Sequence, residues 1–195
     1  GSIAWPNKAN QALLTKEGVL EVATRVLHQH VLNTNVMEEA MRAVRAIGKN
    51  SPHNLELLLD ASVCEVIMVC IQRELDAPKK SRHVSVLQWG WCAVAALSEH
   101  SRCSSKLYEH GVCKIAIFSL KESEDSASVG QFTLNALGFL FCNEEISRSI
   151  SRENIVVLSN VFEHHQMCES FVEEWLYAIG SLCALPASKN RQGVQ

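Results

Sequence analysis

Thr133-Leu134-Asn135-Ala136-Leu137-Gly138-Phe139-Leu140 is the best-preserved copy of a stretch that occurs four times in this 195-residue chain. In every copy the fourth residue is alanine, and the second, fifth and eighth residues are large and apolar. This spacing places the apolar residues along one side of a helix, together with a small residue that lets a second helix approach closely. The other copies begin at Ala40, Gly90 and Trp175.

The repeat has a regular period. The alanines at the fourth position are Ala43, Ala93, Ala136 and Ala178. Successive members of this series are 50, 43 and 42 residues apart. Self-similarity at a period of about 40 to 47 residues is typical of helical solenoids, in which each unit buries its apolar side against its neighbours. The longer first interval reflects extra residues in the loop at 76–82, which is where a solenoid accommodates insertions.

A second recurring segment precedes each long helix, and its first two copies, 8–22 and 52–66, align without a gap. One position in this segment is held by Gly18, Ser62, Gly111 and Asn154. Glycine commonly ends a helix in the left-handed conformation, and asparagine is the next residue best able to do so. An apolar residue follows each of them, so every unit is predicted to be a short helix, a tight corner, a medium helix, a loop and a long helix.

This three-helix unit resembles the armadillo repeat, and the resemblance covers about residues 7–184. HEAT repeats, which have two helices of similar total length, are the nearest alternative; the short helix before the corner favours the armadillo repeat. The resemblance implies an all-α, right-handed α-α superhelix, or solenoid, forming a single domain over 1–185. We expect four repeats followed by a flexible tail at 186–195, the repeats lying near 7–50, 51–101, 102–142 and 143–184.

Armadillo-like proteins line a concave groove with their third helices and hold extended peptides there, so the resemblance implies such a groove here. The positions between those of the apolar stripe are expected to face it. We expect the groove to be basic at its first end, rich in amides in the middle, and acidic with an aromatic residue at its last end. The candidate residues are Glu38, Arg42, Arg45, Lys49, Gln88, Cys92, Ala96, His100, Gln131, Asn135, Phe139, Glu173, Tyr177 and Ser181.

Nuclear-import adaptors, an armadillo subtype, resemble one another in a ladder of tryptophan and asparagine that binds basic peptides. The ladder is absent here, because the tryptophan positions hold Arg42, Cys92, Asn135 and Tyr177. A receptor for nuclear-localisation signals is therefore not expected. Of the tryptophans that are present, Trp91 and Trp175 are predicted to lie in the core, Trp89 on a ridge between repeats, and Trp5 over the first repeat.

Composition indicates a folded chain, with 47% apolar and 20% charged residues. The formal charge of −3 gives no general electrostatic reason to bind nucleic acid or anionic membranes. The longest apolar runs, such as 66–71, are far too short to span a bilayer. No secretory signal is visible at the start, and we interpret Gly1-Ser2 as a remnant of cloning, so a lipidated natural N-terminus remains open.

The eight cysteines do not require a disulfide scaffold in a chain of this size. We expect reduced thiols in a cytoplasmic protein. Six of the cysteines fall in or beside apolar helical stretches, where cysteine acts as a small buried hydrophobe: Cys64, Cys70, Cys92, Cys113, Cys142 and Cys183.

Features that suggest chemistry are weak. His100 with Cys103 and His110 with Cys113 have a spacing seen in zinc sites, but Cys113 occupies an apolar position of the repeat. His164-His165 near Cys168 is predicted to be solvent-exposed rather than a metal site. No hydrolase or kinase signature and no glycine-rich phosphate loop is present. We therefore expect no enzyme, no metal and no cofactor.

The sequence thus predicts a non-enzymatic scaffold or adaptor that binds a peptide or helix of a protein partner in its groove. Two alternatives remain open. One is a membrane-tethered organelle or cytoskeletal adaptor whose lipidated N-terminus is missing, so that it meets membranes only indirectly. The other is a subdomain of a larger multidomain protein.

Overall fold

The computed structural model describes residues 7–123 and 125–184. Within these ranges the chain forms twelve α-helices and one short 3-10 helix, Lys79–Ser81, and no β-strand. The prediction of an all-α fold is confirmed. The helices are α1 Lys8–Lys16, α2 Val19–Gln29, α3 Thr34–Gly48, α4 Pro52–Asp60, α5 Val63–Asp76, α6 Val84–Ser98, α7 Ser101–Glu109, α8 Val112–Glu122, α9 Ala127–Leu140, α10 Glu144–Arg148, α11 Arg152–His165 and α12 Glu169–Cys183.

The helices follow a repeating order of short, medium and long, and the long helices and the medium helices each pack against their own kind. The long helices form one row, in which α3 packs on α6, α6 on α9 and α9 on α12. The medium helices α2, α5, α8 and α11 form a second row. This arrangement is an all-α solenoid. The predicted boundaries between the repeats remain predictions. The predicted tail at 186–195 and the predicted cap at Trp5 lie outside the described residues.

The left-handed corners are found at three of the four predicted positions. Gly18 and Gly111 have φ of +76°, and Ser62 has φ of +56°. The prediction at Asn154 is wrong, because α11 already begins at Arg152. Here Ser151 accepts a hydrogen bond from the Asn154 backbone N–H, and the Asn154 side chain accepts one from the Ser151 N–H. This capping box starts the helix three residues earlier and makes a left-handed corner at 154 unnecessary.

The apolar stripe of the third helices forms the core in the first three copies. Nine residues at the second, fifth and eighth positions are at most 3% exposed: Met41, Val44, Ile47, Trp91, Val94, Leu97, Leu134, Leu137 and Leu140. The fourth copy departs from the prediction, since Leu176 is 58% exposed and Ile179 and Leu182 are half-buried. The physical reason is position in the stack: α12 follows α9, and no further helix of the described residues lies on its other side.

Glycines let the third helices approach each other closely. A Cβ added at Gly138 would collide with the ring of Tyr177, and one at Gly130 would lie 2.7 Å from the ring of Phe171. Both rings belong to α12 and both glycines to α9. The small residues predict a close approach of neighbouring third helices. Between α9 and α12 this approach brings the aromatic rings of α12 into contact with the glycines of α9.

Trp91 is fully buried, as predicted, and its indole N–H donates a hydrogen bond of 3.0 Å to Ser119 Oγ on α8. Trp175 is only half-buried; its N–H donates to the Leu158 carbonyl at 2.8 Å, and its ring lies 4.5 Å from that of Phe162. Its prediction as a core residue is thus met in part.

The six cysteines predicted as buried hydrophobes divide into two groups. Cys64, Cys70 and Cys92 are buried, and Cys113 is half-buried. Cys142 and Cys183 are exposed, which corrects the prediction for these two. Cys142 comes after the last turn of α9, and Cys183 lies on the uncovered last helix. As for membranes, no helix in the described ranges combines the length and apolar character that crossing a bilayer requires.

Candidate groove on the third helices

A cavity of about 190 Å³, which we call the central cavity, lies across the row of third helices. All four of these helices contribute to it, either directly or through the residue that caps their C-terminal end. It is lined by Arg45, Lys49, Cys92, Ala95, Ala96, Glu99, Phe132, Asn135, Phe139 and Glu174.

The floor of the central cavity is made of small side chains on α6. Cys92, Ala95 and Ala96 are each at most 5% exposed, and they fall on one side of the helix because they are spaced three and four residues apart. Burial raises the pKa of the Cys92 thiol to about 11, against the opposing effect of the nearby Arg45 and Lys49 charges. Cys92 is therefore an uncharged part of the floor at neutral pH, not a nucleophile.

Aromatic side chains on α9 form the apolar walls. Phe132 and Phe139 are both half-buried and line the cavity. The ring of Phe139 meets that of Tyr177 edge to face, with centroids 5.6 Å apart. This geometry is the favourable one for an aromatic pair, and it holds the Phe139 ring in place at the wall.

The α3 side of the cavity carries two cations, Arg45 and Lys49, which we call the cationic wall. The Arg45 guanidinium lies 5.9 Å from the centre of the Trp89 ring, and that of Arg42 lies 4.5 Å from it. Trp89 thus reaches from α6 back to α3, on the ridge between repeats where it was predicted, and contributes cation–π contacts to both arginines. Arg42 is also paired with Glu38, at 3.1 Å.

Carboxylates lie at two other edges of the cavity, and both accept hydrogen bonds from the chain. Glu174 on α12 accepts a hydrogen bond of 2.7 Å from the Asn135 side-chain amide. Glu99, after the last turn of α6, accepts one of 2.8 Å from the Asn50 backbone N–H. Asn50 follows Lys49, so Glu99 lies toward the α3 side, and Glu174 is the carboxylate on the opposite side from the cationic wall.

The residues predicted to line the groove divide into three groups in the structure. Six of them line the central cavity: Arg45, Lys49, Cys92, Ala96, Asn135 and Phe139. Others bridge or flank it: Glu38 pairs with Arg42, Gln88 donates to Ser128 Oγ at 2.7 Å, Gln131 accepts from Ser170 Oγ at 3.3 Å, and Tyr177 backs Phe139. Glu173 is exposed and does not line the cavity.

Sequence reasoning missed four lining residues: Ala95, Glu99, Phe132 and Glu174. The prediction advanced along each helix mainly in steps of four, whereas a helix of 3.6 residues per turn also places residues three apart on one side. Each missed residue is three positions from a predicted one, as Ala95 is from Cys92 and Glu174 is from Tyr177. His100, the last position predicted for the second repeat, instead precedes α7 with its ring 3.8 Å from Glu56.

The described residues contain no grouping of three or more histidine, cysteine or acidic side chains that would hold a metal ion. Cys103 is buried and its thiol lies 3.4 Å from the Leu55 carbonyl oxygen. Cys113 is half-buried, and burial raises the pKa of its thiol to about 11. His164 is exposed, but His165 is half-buried with its ring 4.8 Å from that of Phe171, which corrects the prediction that both imidazoles are exposed.

No protein-family model matches the chain, and no curated protein matches it. Among solved structures it is similar to a designed armadillo repeat protein in complex with the peptide (KR)4, with a TM-score of 0.73 and 18% identity over 92% of this chain and 71% of that one. It is also similar to an engineered protein with a TM-score of 0.73 and 16% identity, over 92% of this chain and 41% of that one. A second engineered protein gives a TM-score of 0.55 and 14% identity, over 93% of this chain and 86% of that one. The chain has an armadillo-like repeat fold.

Proposed function

We propose that this chain is a non-enzymatic interaction scaffold that binds an extended segment of a partner protein along its third helices. The observation that carries the proposal is the central cavity itself, to which all four third helices contribute. A solenoid offers such an extended surface because its repeats stack in one direction and leave the same side of each repeat open.

The chemistry of the cavity suits a peptide. Phe132 and Phe139 offer apolar contact, the cationic wall offers charge, and the Asn135–Glu174 pair offers polar groups to a peptide backbone. The designed neighbour, whose fold this chain shares, is described as a complex with the peptide (KR)4. That description supports a peptide as the class of partner for this fold.

The proposal that the chain is not an enzyme rests on the protonation of the cysteine and tyrosine side chains at and beside the central cavity. Burial keeps the Cys92 thiol protonated at neutral pH, and the pKa of the neighbouring Tyr177 hydroxyl is raised by burial and by Cys142.

The test is a selection of random linear peptides, displayed on phage, against the immobilised protein. Peptides enriched on the wild-type chain are then assayed against the Phe139→Ala/Tyr177→Ala variant and against Phe118→Ala. Phe118 is the matched control, because it is a 38% exposed phenylalanine of the same repeat on α8, outside the cavity. We expect the double variant to lose the enriched peptides and Phe118→Ala to keep them, with unchanged helicity in both. Equal retention by all three proteins would refute groove binding.

A further inference from the structure

The side of α12 that faces away from α9 carries no further third helix of the described residues, and it repeats the pattern that α9 presents to α12. We propose that this side of α12, which we call the end face, docks one helix of a partner protein. The docked helix places an aromatic side chain over Gly180 and a hydrogen-bond donor opposite Glu173. This surface is separate from the groove of the proposed function and does not depend on it.

The apolar stripe of α12 is exposed on the end face. Leu176 takes the place that Leu134 holds in α9, two residues before the repeated alanine, and Ile179 takes the place of Leu137. Leu134 and Leu137 are fully buried, whereas Leu176 is 58% exposed and Ile179 is half-buried. A helix packed on the end face would remove this apolar surface from water, and that burial favours docking.

Gly180 leaves an empty place for a large side chain. It stands two residues after the repeated alanine of its helix, as Gly138 does in α9. A Cβ added at Gly138 would collide with the ring of Tyr177, whereas no described atom lies within 4 Å of a Cβ added at Gly180. A helix that packs on α12 as α12 packs on α9 would bring its own equivalent of Tyr177 over Gly180. An aromatic ring fits there because glycine has no side chain to exclude it.

Glu173 holds the polar place in the same pattern. Gln88, Gln131 and Glu173 all stand five residues before the repeated alanine of their helices. Gln88 donates a hydrogen bond to Ser128 on α9, and Gln131 accepts one from Ser170 on α12. Both serines stand eight residues before the alanine of their own helix. Glu173 is exposed, and an ionised carboxylate only accepts hydrogen bonds, so the docked helix should place a hydroxyl or a cation opposite it.

The two contacts specify the spacing of residues on the docked helix. In α12 the hydroxyl of Ser170 and the ring of Tyr177, which make the equivalent contacts with α9, are seven residues apart. Seven residues are about two turns of a helix, so both side chains lie on the same side. The partner helix should therefore carry a donor and, seven residues later, an aromatic residue, with apolar residues between them on that side.

A second copy of this chain supplies this pattern poorly. Each of α6, α9 and α12 already packs on a preceding third helix, so α3 is the one third helix of the described residues without such a neighbour. In α3 the place of Tyr177 is held by Arg42. The Arg42 guanidinium is already paired with Glu38 and Glu39, at 3.1 Å each. A different protein is therefore the occupant that we propose.

The test uses a labelled synthetic peptide with the sequence of α12, Glu169–Cys183, because α12 is the helix that covers the equivalent side of α9. The peptide is stapled to keep it helical, since a free helix of this length is marginal in water. Its binding to the full chain is measured by fluorescence anisotropy under reducing conditions. We expect the affinity to fall about tenfold or more with Tyr177→Ala in the peptide, or with Gly180→Leu in the protein.

Gln29→Leu is the matched control, because it adds the same side chain at an exposed residue of α2 and should leave the affinity unchanged. Thermal unfolding of both leucine variants checks that they fold. The polar contact is tested by Ser170→Lys in the peptide, which should bind more tightly to the wild-type chain and more weakly to Glu173→Lys.

Three results would overturn the inference. The first is absence of binding by the peptide, and the second is binding that Gly180→Leu and Gln29→Leu change equally. The third concerns the occupant: the wild-type chain is sedimented over a range of concentrations, and self-association that Gly180→Leu abolishes would assign the end face to a second copy. We expect no self-association that depends on residue 180.

Discussion

The side-chain amide of Asn135 donates a hydrogen bond of 2.7 Å to a carboxylate oxygen of Glu174, across the interface between α9 and α12. It belongs to a series of polar links between neighbouring third helices, with Gln88 to Ser128 between α6 and α9 and Ser170 to Gln131 between α9 and α12. These links fix how the repeats stack, and they place Glu174 at the edge of the central cavity. The groove surface is thus partly built by its own contacts.

Replacement of Asn135 by aspartate should turn this attraction into repulsion. At pH 7 two carboxylates would face each other, and we expect a loss of about 1–2 kcal/mol in the free energy of unfolding. Each carboxylate raises the pKa of the other above its unfolded value, so the loss should shrink as pH falls from 7 toward 4 and one of them takes up a proton. Urea unfolding at several pH values measures this. Asn135→Ala removes the hydrogen bond without adding charge, so its cost should change little with pH; an equal pH response in both variants would argue against the contact.

The contact between Gly138 and Tyr177 predicts that Gly138→Ala destabilises the fold. Alanine normally gains about 0.5–1 kcal/mol over glycine within a helix, but a Cβ here collides with the Tyr177 ring. We expect a net loss of about 1–2 kcal/mol, as is usual for overpacking. Gly180 on α12 is the control, because no described atom lies within 4 Å of a Cβ added there, and Gly180→Ala should stabilise.

A double variant assigns the cost of Gly138→Ala to the ring. In a Tyr177→Ala background the same substitution should lose its penalty, because the collision is gone. Thermal unfolding of the four proteins in this cycle gives the coupling energy. A penalty that is independent of residue 177 would mean that Gly138 is required for another reason.

The corners at Gly111 and Ser62 predict opposite effects of substitution. Gly111 has φ of +76° and open space around it, so Gly111→Ala should cost about 1 kcal/mol from backbone conformation alone. Ser62 adopts φ of +56° although it has a side chain, so Ser62→Gly should relieve backbone strain. We expect the free energy of unfolding to stay the same or to increase by up to about 1 kcal/mol. Chemical denaturation measures both. Destabilisation by Ser62→Gly of the same size as that by Gly111→Ala would contradict the left-handed corner.

Glu74 is predicted to make stability depend on pH. It is 4% exposed; burial works to raise its pKa, but hydrogen bonds from the His83 N–H and Arg73 outweigh that effect and hold the pKa below the ordinary 4.5. A carboxyl whose pKa is lowered in the folded protein stabilises the fold at pH values above its ordinary pKa. That contribution is lost as pH falls through the pKa of the folded protein. Glu74→Gln should therefore cost about 2 kcal/mol at pH 7, and this cost should shrink as pH falls from the ordinary 4.5 toward the lower pKa of the folded protein.

The measurement for Glu74 is urea unfolding from pH 7 to pH 3, comparing wild type with Glu74→Gln. Glu173→Gln is the control, because Glu173 is an exposed residue of α12 that changes charge by the same amount. Its curve should follow the wild type throughout. A cost of Glu74→Gln that stays constant over the whole range would show that the carboxylate charge is not what holds the turn between α5 and α6 together.

The fold was predictable because its signals are local and occur several times. The alanine-centred stripe marks each third helix, and alignment with Gly18 and Gly111 identifies the corner at Ser62, although serine alone does not indicate one. The corner at Asn154 was mispredicted because Ser151 forms a capping box with it, and this local competition starts α11 earlier. Leu176 was mispredicted because burial of its stripe depends on a following helix, which the pattern within one helix cannot supply.

The site was predictable only at the level of single helices. The period of 3.6 residues identified Arg45, Cys92, Asn135 and Phe139, and a wider use of the same period would have added Ala95 and Phe132. The choice of Glu174 over Glu173 depends on how far α12 is turned about its axis, which its contacts with α9 determine. Pairings such as Gln88 with Ser128 depend on the stacking register between repeats, and no pattern along one helix encodes it.

The central claim, that a peptide lies along the third helices, is tested most directly by site-specific photo-crosslinking. Benzoyl-phenylalanine is placed at position 139, at the wall of the central cavity, and in a second protein at position 118 on α8. Each is irradiated with a labelled peptide enriched by selection on the wild-type chain. The structure predicts a crosslink from position 139, suppressed by unlabelled peptide, and none above background from position 118. Crosslinking from position 118 alone would place the peptide outside the groove and contradict the proposed function.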